Sequence, residues 1–200
     1  MKMIIIDNYD SFTFNLYQML VPLLPDQDRK QVEVFRNDAI DFDGLRAKRP
    51  THVVLSPGPG HPAIAGDFGC CADVITKRKE VGCKLLGVCL GHQGIVHYLG
   101  GTVERAPEIV HGKSSQIRVE TESPLFDGMG ASFPAMRYHS LVAAESDFPE
   151  LLTVTAREAS RGLIMALEHK TEPMYGVQFH PESIGTPAGA KILRNFVERC

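Results

Sequence analysis

The chain has 200 residues, 44% of them hydrophobic and 22% charged, with a formal net charge of −3. This is ordinary globular usage, with enough chain to bury a substantial core. It excludes a basic nucleic-acid footprint, since no basic run or stripe is present, and no apolar stretch approaches the ~18 residues of a membrane span.

Residues 3–6 are continuously apolar and read as a first buried strand; the run meets an acid at Asp7 and is too short for a signal peptide. A helical pattern follows over about 11–22, with Asp10 or Ser11 as its cap. Residues 31–36 alternate as a strand, and the charged stretch from Pro25 to Lys30 before them reads as a surface loop. His52 to Leu55 is another short apolar run, stopped by Ser56-Pro57-Gly58-Pro59-Gly60. A helix is expected over about 67–80, a strand over 84–88 and a helix over about 91–99, ended by Gly100-Gly101. This βαβα rhythm predicts a doubly wound, mainly parallel open α/β sheet flanked by helices. From about residue 101 the pattern changes to short strands near 102–104, 115–120, 151–156 and 163–167. They predict a small antiparallel extension. A last helix is expected over about 187–199. No repeat or interdomain linker is visible, so residues 1–200 read as one domain.

The strand over 84–88 ends in Gly87-Val88-Cys89-Leu90-Gly91, the pattern of a nucleophile elbow with cysteine in place of serine. A thiol reacts as thiolate, and a helix N-terminus or nearby imidazole favours that form. Gly87 and Gly91 suit a turn with little room for side chains. The competing reading is an inert buried cysteine at a strand end. The other four cysteines (70, 71, 83 and 200) lack such a setting. The five together form no Cys-x-x-Cys pair, so neither a disulfide framework nor a metal site is expected, and a reducing cytoplasm suits the chain.

Ninety residues on, the chain supplies His180-Pro181-Glu182. Residues two apart in extended chain face one side, and Pro181 holds His180 out of the helical region. Glu182 can then orient one imidazole nitrogen and leave the other for the thiol proton. A surface turn is the alternative. The loop Gly58-Pro59-Gly60 offers only backbone. Gly60 N–H and Leu90 N–H are candidates for an oxyanion hole, and a merely rigid turn is the alternative. Gln93, on the first helical turn, can bind a polar substrate group, whereas His92 reads as structural. No phosphate-cradling pattern is present, so no cofactor is expected.

These segments, with Asn8-Tyr9-Asp10-Ser11-Phe12-Thr13, His111-Gly112-Lys113 and Arg137-Tyr138-His139-Ser140-Leu141, stand in family order. Together they resemble the class I (triad) glutamine amidotransferases across essentially the whole chain. Within them they resemble the glutaminase subunits of chorismate-utilising synthases: anthranilate synthase component II and the glutaminase of aminodeoxychorismate synthase. The resemblance implies that Cys89 attacks the carboxamide of L-glutamine, with His180 and Glu182 completing the triad and Gly60 and Leu90 stabilising the oxyanion. Gly58, Pro59, Gly60, Gln93, Ser140 and Leu141 would hold the glutamine. Ammonia would pass to a chorismate-binding synthase subunit, toward which Asn8, Tyr9, Asp10, Ser11, His111, Gly112 and Lys113 would face. Asp67 to Cys71, Gly94 to His97 and Glu172 to Gly176 look closer to relatives that serve aminodeoxychorismate- and phenazine-type synthases. Two other functions fit part of the pattern: a stand-alone cysteine hydrolase of γ-glutamyl compounds, and a non-catalytic regulatory module.

Overall fold

The computed structural model describes all 200 residues. The first strand, β1 (Met3–Asp7), is buried throughout and pairs in parallel with β2 (Val32–Arg36) and β3 (His52–Leu55). β4 (Lys84–Val88) continues the parallel set beside β3, and β9 (Met174–Val177) closes it. The remaining strands, β5 (Val103–Val119), β6 (Ser132–Ala143), β7 (Leu152–Glu158) and β8 (Ile164–His169), pair antiparallel. All nine form one sheet in the order β2-β1-β3-β4-β9-β8-β7-β5-β6. Its parallel part has the flavodoxin-like order, which places ligands at the carboxyl ends of the strands.

Alternation along β1 sends Met3 and Ile5 to one face and Ile4 and Ile6 to the other, each into its own core. Helices α1 (Thr13–Leu20) and α7 (Gly189–Glu198) cover the first face. Helices α2 (Phe42–Ala47), α4 (Cys71–Thr76) and α6 (Leu90–Tyr98) cover the second. Strands buried on both faces need no polar alternation, which is why β1, β3 and β4 carry continuous apolar runs over 3–6, 53–55 and 85–88. No helix is long and apolar enough to cross a membrane.

Three sequence expectations need correction. The helix expected over 67–80 is three short helices, α3 (Ala65–Phe68), α4 and α5 (Arg78–Val81). Gly69 breaks it at φ +46°, where a Cβ would lie 2.3 Å from Asn37 O. The strands expected near 102–104 and 115–120 are the two ends of β5, a single strand with register shifts at 105–110 and 111–113. α1 begins at Thr13 with Phe12 as its N-cap and no side-chain cap. Asp10 Oδ1 instead accepts from Phe12 N–H at 2.8 Å, one turn early.

The close approach of β4 to α6 is the constraint that shapes the site. A Cβ on Gly87 would lie 2.5 Å from Gly91 C and O, and one on Gly91 would lie 2.5 Å from Leu55 O. These clashes are with backbone, which cannot swing aside. Gly87→Ala is expected to lower stability by ~2–3 kcal/mol or more, as overpacking of a tight site does. A urea midpoint unchanged from wild type would contradict the packing described.

Candidate active site

Four neighbouring strands each deliver one part of the site from their carboxyl ends. Asn8 follows β1, the loop Ser56–Gly60 follows β3, Cys89 follows β4, and Gln178 to Glu182 follow β9.

Cys89 sits between strand and helix with φ +51° and ψ −100°, a strained conformation for a residue with a side chain. Its N–H donates to Val177 O at 2.8 Å, and its carbonyl accepts from Gln93 N–H at 3.0 Å. The sulfur therefore stands at the head of α6, where Leu90 N–H is among the helix's unpaired donors. The thiol is free and buried.

His180 Nδ1 and Glu182 Oε1 are 2.6 Å apart, with both side chains buried. The imidazole is clamped edge-on between Tyr138 and Phe12, at 5.0 and 5.9 Å between ring centroids. Its backbone is pinned to β6 by His180 N–H donating to Met136 O at 3.0 Å, and to the segment that follows by Thr186 Oγ1 donating to His180 O at 2.7 Å. Nε2 makes no well-formed hydrogen bond to the protein. It nevertheless lies near enough to the Cys89 sulfur to feel it. Burial disfavours the imidazolium, but Cys89 and Glu182 outweigh it and raise the His180 pKa to about 10. The two partners thus favour the protonated form of His180.

The thiol faces a cleft of about 250 Å³ lined by Gly58, Pro59, Gly60, Cys89, Gln93, Ile109, His111, Tyr138, His139, Ser140 and Leu141. Every residue expected to hold substrate lies on this wall, as does the expected oxyanion donor Gly60; Leu90 stands beside Cys89. Gly60 has φ +94°, and Gly58 has no room for a Cβ between Asn8 and Leu90. Asp67 Oδ2 braces the loop by accepting from His61 N–H at 2.9 Å. A larger depression of about 730 Å³, lined by residues between Val119 and Ala131, holds carboxylates and hydroxyls but no cysteine or histidine.

Asn8, expected to face a partner, is 2% exposed. Its backbone N–H donates to Ser56 Oγ at 2.8 Å and its Nδ2 to Ser56 O at 2.9 Å, while Asn37 Nδ2 donates to its Oδ1 at 3.0 Å. Asn8 is thus a brace beneath the glycine loop, with no surface to offer a partner. Tyr9, Ser11, His111, Gly112 and Lys113 are exposed, with His111 on the cleft wall, and Asp10 is half-buried. His92 is fully buried, and burial lowers its pKa to about 4. Nowhere do three or more His, Cys, Asp or Glu side chains gather to hold a metal ion.

Gln178 was visible in the sequence only as part of a motif. It is fully buried, and its Nε2 donates to the Cys89 sulfur at 3.6 Å. Gln93 Nε2 donates both to Gln178 Oε1 and to Leu141 O, each at 3.1 Å. A buried glutamine inside an apolar strand end is the one sequence signal that could have marked it.

The model of the class-I glutamine amidotransferases matches residues 4–200. This chain belongs to that family. An anthranilate synthase component 2 from Methanothermobacter marburgensis is 49% identical to it over 194 residues, covering 97% of this chain and 96% of that protein. Another from Leptospira biflexa is 44% identical over 203 residues, covering 98% and 99%. Among solved structures, a glutamine amidotransferase from Thermotoga maritima superposes with a TM-score of 0.73 at 14% identity, covering 99% of this chain and 96% of that one. The amidotransferase fold is thus shared well below the identity at which sequence alone would establish it.

The raised His180 pKa has a definite sign. The imidazolium's partners stabilise the fold fully below its ordinary value of 6.5, and that contribution is lost as pH rises through about 10. In a histidine-ring NMR titration, His180 is expected to stay protonated through about pH 8, and Cys89→Ala to shift its midpoint down. A wild-type midpoint near 6.5 would show that Cys89 and Glu182 do not hold the proton on His180.

Proposed function

We propose that this amidotransferase is the glutaminase component of a chorismate-utilising synthase, and that the synthase is of the anthranilate type. The carrying observation is the buried constellation of strained Cys89, imidazolium His180 and Glu182 at the head of α6. The names of the relatives, anthranilate synthase component 2, favour that partner over an aminodeoxychorismate synthase.

The Cys89 thiolate attacks the carboxamide carbon of L-glutamine. Charge then builds on the carbonyl oxygen, and the N–H groups of Leu90 and Gly60 are placed to receive it. His180 gives its proton to the departing nitrogen, the C–N bond breaks, and ammonia leaves a γ-glutamyl thioester. Water then attacks the thioester while His180 takes its proton, the C–S bond breaks, and glutamate leaves with the Cys89 thiolate and the protonated His180 restored. Glu182 holds the imidazole and supports its charge throughout. The Gln93 amide nitrogen is already spent on Leu141 and Gln178, so its Oε1 is left for the α-amino group of glutamine. The backbone of Ser140 and Leu141 takes the α-carboxylate.

The exposed rim of Tyr9, Ser11, His111, Gly112 and Lys113 supports a seat for the synthase subunit. Phe14, Ile109 and Ile184 add exposed apolar surface. Seating of the partner there gates the site, so ammonia is released only when it can be used.

Cys89→Ala is expected to reduce glutamate release from L-glutamine by at least ~10³-fold, and Glu182→Gln by ~10²-fold or more, with the fold retained. Glutamate release is also expected to rise when an anthranilate-type synthase subunit is added, and not with an aminodeoxychorismate-type one. Equal turnover with both, or alone, would overturn the gated reading, and activity surviving Cys89→Ala would overturn the mechanism.

A further inference from the structure

Behind the wall of the cleft lies a buried cation that the triad does not use. Arg137, in the middle of β6, is 4% exposed and meets no carboxylate within ion-pair distance. Its Nε–H donates to His139 Nε2 at 2.9 Å, and its Nη1 donates to Ser115 Oγ at 3.0 Å on the neighbouring strand β5. A guanidinium only donates, so His139 Nε2 must be the lone-pair nitrogen and the ring proton must sit on Nδ1. That proton is donated to Leu141 O at 2.9 Å. Leu141 O is the same carbonyl that accepts from Gln93, which in turn fixes Gln178 against the Cys89 sulfur. Burial and the adjacent Arg137 charge lower the His139 pKa to about 3, so one neutral tautomer holds throughout the working range.

Glu158 and Glu108 favour the Arg137 charge from beyond ion-pair distance, and a buried cation without a direct counter-ion is costly unless its environment uses it. Here its one imidazole contact leads straight to the wall at Ser140 and Leu141. We propose that Arg137 is a positioning residue that, through a single fixed tautomer of His139, sets the Leu141 carbonyl and so aligns the wall and Gln93 to receive the α-amino-acid end of the substrate. The inference rests on the reading that this cleft takes L-glutamine. It concerns recognition of the amino-acid end and leaves the chemistry at Cys89 unchanged.

The test compares two alkylating agents on the whole chain, with the modified cysteine identified by mass spectrometry. Iodoacetamide loses iodide to a thiolate and carries no amino-acid end. The chloroketone analogue of L-glutamine loses chloride to the same thiolate but must first be bound by that end. Arg137→Met is expected to slow Cys89 alkylation by the chloroketone at least tenfold at sub-saturating concentration, while the iodoacetamide rate at Cys89 stays within twofold. Arg137→Lys, which keeps a donor and a charge, is expected to recover part of the loss. Iodoacetamide also reports the fold, because an unfolded chain would expose all five cysteines.

Equal loss with both reagents would make Arg137 a purely structural residue and overturn the proposal. So would no loss with either reagent, or an Arg137→Lys variant no better than Arg137→Met. A wild-type Cys89 that reacts no faster with the L-chloroketone than with its D-enantiomer would instead overturn the glutamine reading itself. The two failures are therefore distinguishable.

Discussion

The site depends on a backbone conformation that the chain would not adopt if left to itself. Holding a residue with a side chain at φ +51° costs on the order of 1–3 kcal/mol. Cys89 is held there from both sides, by Val177 through its N–H and by Gln93 through its carbonyl. The absence of side chains at Gly87 and Gly91 lets β4 and α6 meet closely enough for the turn to exist. The same turn that strains the cysteine aims its sulfur out of the sheet edge and places it at the positive end of α6, where an anion is favoured. The placement of Cys89 and the helix head it occupies are thus products of one local constraint.

The two halves of the sheet divide the remaining work. The parallel half delivers chemistry, because four adjacent strands all end at the same edge. The antiparallel half delivers the surroundings. β6 carries Tyr138, which packs on His180; Met136, whose carbonyl pins the backbone of His180; and the wall at Ser140 and Leu141. The position of His180 is therefore set by β6 as much as by β9, although only β9 immediately precedes it in the chain.

That division explains what could be read from the sequence. β1, β3 and β4 announced themselves because strands buried on both faces carry continuous apolar runs. Cys89, His180 and Glu182 stand out as candidates because thiol-based acyl transfer needs particular residue types at particular spacings. β6 was not legible as a strand. Two of its inward positions are Arg137 and His139, so its alternation of buried and less buried residues is hidden from any reading that counts hydrophobic side chains. The roles of Asn8 and Gln178 were hidden for a related reason. A buried polar side chain declares itself only through its partners, and those partners (Ser56 and Asn37 for one, Gln93 and Cys89 for the other) lie far away in sequence.

The placement of the rim follows from these buried supports. Tyr9 is exposed, and its neighbour Asn8 is bonded to Ser56 and packed beneath Gly58, so the glycine loop lies one residue behind the surface. His111 is exposed too, and its ring stands edge-on to Tyr138 at 5.6 Å, with Tyr138 in turn edge-on to His180. The oxyanion side and the base side of the cleft are thus each reached from the rim through one intervening residue. A partner that touched only one of them would leave the other half of the machinery unsupported. A partner seated across both, spanning the loop after β1 and the β5 irregularity at Gly112, would act on both sides of the cleft together.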